Sequence, residues 1–188
     1  MNDLVDFHDR AMTNLSATID TIGPGDWDRP TACEGWSVWD LVNHLTAEAW
    51  WAPHLLRGER IAEVGDRYDG DVLGPDPQKA WREASEAERQ AVNAPGALDQ
   101  TVDTSMGELP ASVYLAQRIT DLAVHRWDLA QGLGTDGTIP DDLANFLYDT
   151  WEPQADEVAA SGVFAPRVEV PADASPTDRL VALLGRRP

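Results

Sequence analysis

Residues 110–134 read PASVYLAQRITDLAVHRWDLAQGLG, and their pattern decides the fold. Pro110 suits the opening of a helix, and Gly132 or Gly134 suits its end. The helix between them spans roughly 35 Å at ~1.5 Å per residue. Leu115, Ile119, Leu122, Leu129 and Leu133 make its main apolar side, while Val113, Val124 and Trp127 make the other side apolar too. A narrow polar strip lies between these flanks: Tyr114, Arg118, Asp121, His125 and Asp128. A helix with apolar flanks on both sides must be covered from several directions. This predicts neighbouring helices and a polar strip that is at least partly buried.

Upstream, Leu4, Phe7, Ala11, Leu15 and Ile19 recur at helical spacing, predicting a helix over Asp3–Ile22 that Gly23-Pro24-Gly25 ends. His8, beside Phe7, is expected at an exposed or edge position. A turn-rich connector leads to a second helix, Ser37–Leu56, with Ser37 and Asp40 spaced as a capping box. Val38, Leu41, Leu45, Ala52 and Leu55 form its apolar stripe, His44 and Glu48 sit inside that stripe, and Pro53 kinks or shortens the helix. Gly58–Pro75 reads as a loop. A third helix over Asp76–Asn93 has Pro77 near its first position and a charge-rich, solvated face that includes Glu88. Ala94–Leu109 reads as irregular, with an extended piece at Gln100–Thr104. Beyond residue 134 a helix over Pro140–Ala160 is interrupted near Pro153, Phe164–Pro176 is extended, and a short helix over Thr177–Leu184 closes at Gly185. Together these predict one all-α domain over 1–188: a four-helix bundle with long connecting loops and a short C-terminal helix.

Composition narrows the function. The 33 Asp and Glu against 14 Lys and Arg give a formal net charge of −19 across 188 residues, a field that repels phosphate backbones and anionic lipid. Neither nucleic acid nor a membrane is an expected partner. A single cysteine, Cys33, excludes an intrachain disulfide and every multi-cysteine metal site. It is expected to be a small side chain packed in a turn. The start, MNDLVDFHDR, carries acidic residues where a secretory leader needs basic ones, so a cytoplasmic location is expected. The 8 Trp residues suggest large aromatic packing or a lined cavity, with Trp36, Trp39, Trp51 and Trp127 as candidate walls.

Asp121 and His125 are spaced i, i+4, so both can reach one point, and His44 comes from the apolar face of another long helix. Two imidazoles and a carboxylate converging in a bundle would make a site for a first-row divalent metal. Three protein donors leave a coordination position open, as catalytic zinc sites do. The same residues have plainer readings, namely a hydrogen-bonded core histidine and a helix-surface ion pair. Glu48, one turn from His44, competes as a ligand or could orient His44, and Asp128 and Arg118 could brace the ligands from behind. Nucleophile elbows, phosphate-binding Gly-rich loops and H-E-x-x-H are absent from the sequence.

Thr31-Ala32-Cys33-Glu34-Gly35-Trp36-Ser37-Val38-Trp39-Asp40-Leu41-Val42-Asn43-His44-Leu45 resembles the T-P-C-E-G-W-T-V-x-D-L-V-x-H-L signature of the mycothiol-dependent maleylpyruvate isomerase-like family, within the DinB/YfiT-like metalloenzymes. Residues 121–130, DLAVHRWDLA, resemble its second signature, and residues 170–186 resemble the C-terminus of a single-domain actinobacterial subfamily. The resemblance implies a DinB-like four-helix bundle holding a divalent metal, zinc or nickel, with His44, Asp121 and His125 at the ligand positions. It departs from the isomerase at two points: the carboxylate is Asp121 where the isomerase has Glu, and the chain is too short for the isomerase's additional C-terminal domain.

The resulting expectation is a metal-dependent transferase or isomerase. The metal would activate a low-molecular-weight thiol, mycothiol by resemblance, for attack on a small electrophile. The alternatives are a hydrolase that activates water at the same metal, and a non-enzymatic metal-binding protein. Related bundles often pair, which leaves a homodimer open, although the sequence shows no diagnostic interface stripe. Which residues are catalytic, beyond metal binding, is not legible.

Overall fold

A computed structural model describes residues 2–105, 107–162 and 164–188. The chain divides into two compact units, one up to Thr135 and one from Asp136 onward.

The first unit is built on four long helices: α1 (Asn2–Asp20), α2 (Val38–Leu55), α4 (Pro77–Val92) and α5 (Ala111–Leu133). A short helix, α3 (Ile61–Val64), interrupts what the sequence presents as a continuous loop. Helix α2 packs along α4 and α1 along α5, while α1–α4 and α2–α5 contacts close the bundle. Met12, Leu15 and Ile19 from α1, Leu41 and Leu45 from α2, Trp81 from α4, and Leu115, Ile119, Leu122 and Leu129 from α5 are fully buried. Each such side chain stabilises the fold by roughly 1.5–3 kcal/mol. The bundle expected from residues 110–134 is therefore what forms.

Local chemistry sets the helix ends. Ser37 accepts from the Asp40 backbone N–H, and Asp40 answers to the Ser37 N–H, completing the capping box of α2. Asp76 caps α4 ahead of Pro77. Gly134 closes α5 in the left-handed conformation at φ 71°. The extended piece near residue 100 is β1 (Thr101–Thr104), which pairs antiparallel with β2 (Gly107–Pro110). The second strand escapes a pattern reading because its ends are Gly and Pro and its alternation is only four residues long.

Two expectations about the first unit are corrected. His8 is fully buried, not at an edge, because the buried face of α1 runs through positions 8, 11, 12, 15 and 19 and not through Phe7. Glu88 is also fully buried, not on the solvated face of α4, because a cation from α5 and the ring of His8 await it inside.

The second unit holds α6 (Asp141–Trp151), a 3₁₀ turn at Glu152–Gln154 carrying Pro153, α7 (Ala155–Ser161) and α8 (Pro176–Leu183). Helices α6 and α8 pack on each other, and Leu143, Leu147, Leu180 and Val181 on them are buried. The Thr177 hydroxyl bridges the N–H and C=O of Ile139. Among the described residues of both units, no helix is long and apolar enough to cross a membrane.

Candidate metal centre

The polar strip of α5 faces α2 and the connector that precedes it. That connector is drawn tight by a bridge between Pro30 and Ser37, with the Thr31 N–H donating to the Trp36 carbonyl at 3.0 Å. It lies directly on α5 where Gly132 has no side chain: a Cβ there would come within 2.7 Å of the Pro30 oxygen. Cys33 and Trp36 are thereby carried over His125.

Asp121 Oδ1 lies 3.1 Å from His125 Nε2 and 3.5 Å from His44 Nε2. The three donor atoms all fall within 4.8 Å of one another. A divalent ion with donors ~2.0–2.1 Å away separates tetrahedral ligands by roughly 3.3–3.4 Å. The residues therefore fit such an ion in chemistry and in spacing. The side chains of His44, His125 and Asp121 keep 29%, 14% and 24% of their exposure, so the cluster can be reached from outside. Trp36 covers it: its ring meets His44 edge-on at 5.2 Å and stacks near His125 at 6.4 Å.

Behind the cluster, each member is held. His125 Nδ1 donates to the fully buried Asp128 carboxylate at 2.8 Å. In a neutral, metal-bound ring that contact would select the tautomer whose Nε2 lone pair faces the cluster. The Cys33 thiol donates to the same Asp128 oxygen at 3.1 Å. Asp121 Oδ2 accepts from Arg118 Nη1 at 2.6 Å. The remaining fork of Arg118 is engaged bidentately by Glu88, at 3.0 Å twice, and Glu88 accepts from His8 Nε2 at 3.1 Å.

The electrostatics follow from this chain of contacts. Burial opposes the charged form of Asp121, but His125, His44 and Arg118 outweigh it and hold the carboxyl well below its ordinary value. Burial likewise opposes the imidazolium of His125, yet Asp121 and Asp128 raise it well above the usual imidazole range. Glu88 is pushed up by burial and pulled down further by Arg118 and His8, to about 2. For Glu48, burial dominates and raises the pKa despite Arg118.

The structure thus brings His44, Asp121, His125, Arg118, Asp128 and Trp36 together. Glu48 stands outside the donor cluster, with its carboxylate 3.9 Å from Arg118 Nη1. Trp51 lines a neighbouring cavity with Glu48. Trp39 packs edge-on against Trp27, and Trp127 is buried in the interior. Sequence reasoning missed Cys33, which with His125 and Asp128 forms a second group of close donors, because the 92 residues separating it from His125 hide the contact. Gly132 was the available signal, a small residue that allows the connector to approach the helix.

Comparison with known proteins identifies the fold and the family. An uncharacterized protein of Mycobacterium tuberculosis strain H37Rv is 28% identical over 185 residues, covering 95% of each chain, and an uncharacterized protein of strain CDC 1551 / Oshkosh matches equally. The crystal structure of the mycothiol-dependent maleylpyruvate isomerase shares the fold at a TM-score of 0.62 and 16% identity, over 82% of this chain and 72% of that one. A histidine-to-alanine mutant of that isomerase aligns at a TM-score of 0.63 and 16% identity, over 84% and 69% of the two chains. The sequence model of the mycothiol maleylpyruvate isomerase N-terminal domain matches residues 8–130, which hold the donor cluster and its supports. The chain belongs to the mycothiol maleylpyruvate isomerase N-terminal domain family.

Proposed function

We propose that the protein is a divalent-metal-dependent enzyme of the isomerase or transferase type, using a low-molecular-weight thiol such as mycothiol against a small electrophile. The observation that carries this reading is the meeting of His44, Asp121 and His125 donor atoms within 4.8 Å, in a family whose solved relative is a mycothiol-dependent isomerase. His44 Nε2, His125 Nε2 and Asp121 Oδ1 would hold the ion, with zinc or nickel suited to two imidazoles and one carboxylate. When bound, the ion would supply Lewis acidity at an open position and favour the deprotonated form of a thiol placed there.

The chain's own residues do the rest. Asp128 fixes the His125 ring through Nδ1, so Nε2 is presented as a donor at the cluster. Arg118 occupies Asp121 Oδ2 and so turns Oδ1 toward the imidazoles, while His125, His44 and then Arg118 favour the ionised carboxylate. Trp36, itself exposed, places its ring edge-on to His44 at the outer side of the cluster. Reactivity toward electrophiles needs no protein cysteine, which suits a chain with only one.

The test has two readouts. Metal analysis of the purified protein is expected to show near-stoichiometric divalent ion that falls to background in His44→Ala. Thiol consumption in the presence of a small electrophile is expected to fall with it. Equal metal content and equal turnover in both proteins overturn the proposal, while turnover without added thiol replaces it with hydrolysis.

A further inference from the structure

The second unit carries a groove of its own. Its cavity of about 200 Å³ is walled by Tyr148 of α6, by Arg179 and Leu183 of α8, and by Arg167, Val168 and Val170 of the stretch between α7 and α8. All of these lie beyond residues 8–130, the part of the chain that the family model matches. Two close approaches set the groove. The Val168 N–H donates to the Ala182 carbonyl at 2.8 Å, which lays the stretch along α8. Gly185, at φ 83°, lets the two backbones meet: a Cβ there would come within 2.6 Å of the Ala165 oxygen. Arg179 and Leu183 are spaced i, i+4, so they share one face of α8.

Arg179 is the unusual member of the lining. Its guanidinium lies 4.5 Å from the centroid of the Tyr148 ring, a stacking that places the long side chain without using its donors. Among the described residues no carboxylate pairs with that guanidinium and no hydrogen bond engages it. The Tyr148 hydroxyl has no hydrogen-bond partner among them either. Both side chains can be reached, since Arg179 is exposed and Tyr148 half-buried. Arg167 is paired only with Asp156, at 3.2 Å, and Asp156 keeps 90% of its side-chain exposure, so this ion pair contributes little.

The lining thus holds two arginines and no acidic residue, in a chain of net charge −19. Such a wall answers an anion, and a carboxylate matches the guanidinium fork. Water serves an exposed guanidinium nearly as well, so charge alone holds an anion weakly. Val168, Val170 and Leu183 supply what charge does not, an apolar surface for a hydrocarbon body to cover. The volume equals that of about seven waters at ~30 Å³ each, enough for one ring with a short arm.

We propose that this groove binds a small amphipathic carboxylate, with Arg179 on its acid group, Arg167 beside it, and the apolar side chains on its body. The assignment goes beyond the thiol chemistry above and uses none of the residues of the donor cluster.

The test is titration of the intact protein at neutral pH with phenylacetate, followed through the methyl NMR signals of Val168, Val170 and Leu183. Phenylacetate is expected to shift them with a dissociation constant on the order of 1 mM, the scale for a ligand of this size. Phenylacetamide has the shape without the charge, and inorganic phosphate has the charge without the body. Each is expected to bind at least about fivefold more weakly. Arg179→Gln is expected to weaken phenylacetate at least about fivefold while metal content stays unchanged. Asp156→Asn, which releases Arg167, is expected to tighten phenylacetate about twofold, a gain that a damaged fold does not give. If Arg179→Gln melts well below the parent, Arg179→Lys takes its place: the charge stays, the fork goes, and phenylacetate weakens about threefold. The proposal is overturned by the absence of methyl shifts with phenylacetate, or by equal binding of phenylacetamide or of phosphate. Unchanged binding in the folded Arg179 variant, or weaker binding in Asp156→Asn, overturns it as well.

Discussion

The polar strip of α5 has two ends that differ in completeness. At one end Arg118, Glu88 and His8 form a sealed set: 3%, 0% and 1% of their side-chain surface is exposed, and the Arg118 fork is fully engaged. At the other, Asp121, His125 and His44 retain 24%, 14% and 29% and crowd three donor atoms together. The sealed end spends its charge on itself and holds the bundle in register. The open end directs lone pairs at a common point, an arrangement that favours a cation. Asp121 joins the two, with one oxygen on Arg118 and the other facing the imidazoles.

Breaking the sealed end should give the largest change in stability. Glu88→Ala strips two of the hydrogen bonds from a buried guanidinium, leaving Asp121 bonded to it and Glu48 3.9 Å away, and is expected to destabilise by about 3–5 kcal/mol in chemical denaturation. His44→Ala, at the open end, should change the stability of the metal-free protein by less than about 1 kcal/mol. The pair Glu88→Met with Arg118→Met sharpens the contrast. It should recover most of the stability, since the buried charges go together, while metal affinity falls because Asp121 has lost its anchor. Equal losses from Glu88→Ala and His44→Ala would dissolve the distinction.

The sealed end also sets a pH signature. A carboxyl whose pKa drops on folding stabilises the native state above its unfolded value and loses that contribution as pH falls through the folded one. For Glu88 the window runs from 4.5 down to about 2. Stability of the parent protein should decline across it, and Glu88→Gln, already less stable, should decline less steeply. Parallel curves for the two proteins would remove Glu88 from the account.

At the open end, Asp128→Asn is expected to weaken metal binding about 10–100-fold in chelator competition, because the amide no longer fixes the His125 tautomer. His8→Ala, in the sealed end, should leave metal affinity within about threefold and act on stability instead.

The contrast between the two ends also explains what the sequence reveals. The open end is legible: His44 stands out on an apolar stripe, and Asp121, His125 and Asp128 repeat at helical spacing within eight residues. The bundle is legible for the same reason, since residues 110–134 carry apolar flanks that only neighbouring helices can cover. The sealed end is not. Glu88 sits in a run of charged residues on α4, where any one of them reads as solvated, and only its partner 30 residues away turns it inward. His8 is misassigned by a single position, because a helix stripe drawn through Phe7 and one drawn through His8 fit the same later residues. Helical period locates a face to within a residue, and burial of a charge depends on a partner that period cannot specify.

Cys33 marks the boundary of the comparison and should give the smallest effect. Its thiol touches the same Asp128 oxygen that holds His125 and lies 3.6 Å from His125 Nδ1. If the open end is defined by His44, Asp121 and His125, then Cys33 only caps Asp128 from the connector. Cys33→Ala removes one weak sulfur donor while the 2.8 Å contact from His125 to Asp128 persists. The expected outcome is less than about 1 kcal/mol in stability and less than tenfold in metal affinity. Zinc competition assays on the parent and variant check this directly. Loss of metal from Cys33→Ala with retention in His44→Ala would instead place the ion among Cys33, His125 and Asp128. The imidazole would then be used through Nδ1, and the open end would have to be redrawn on the far side of the ring.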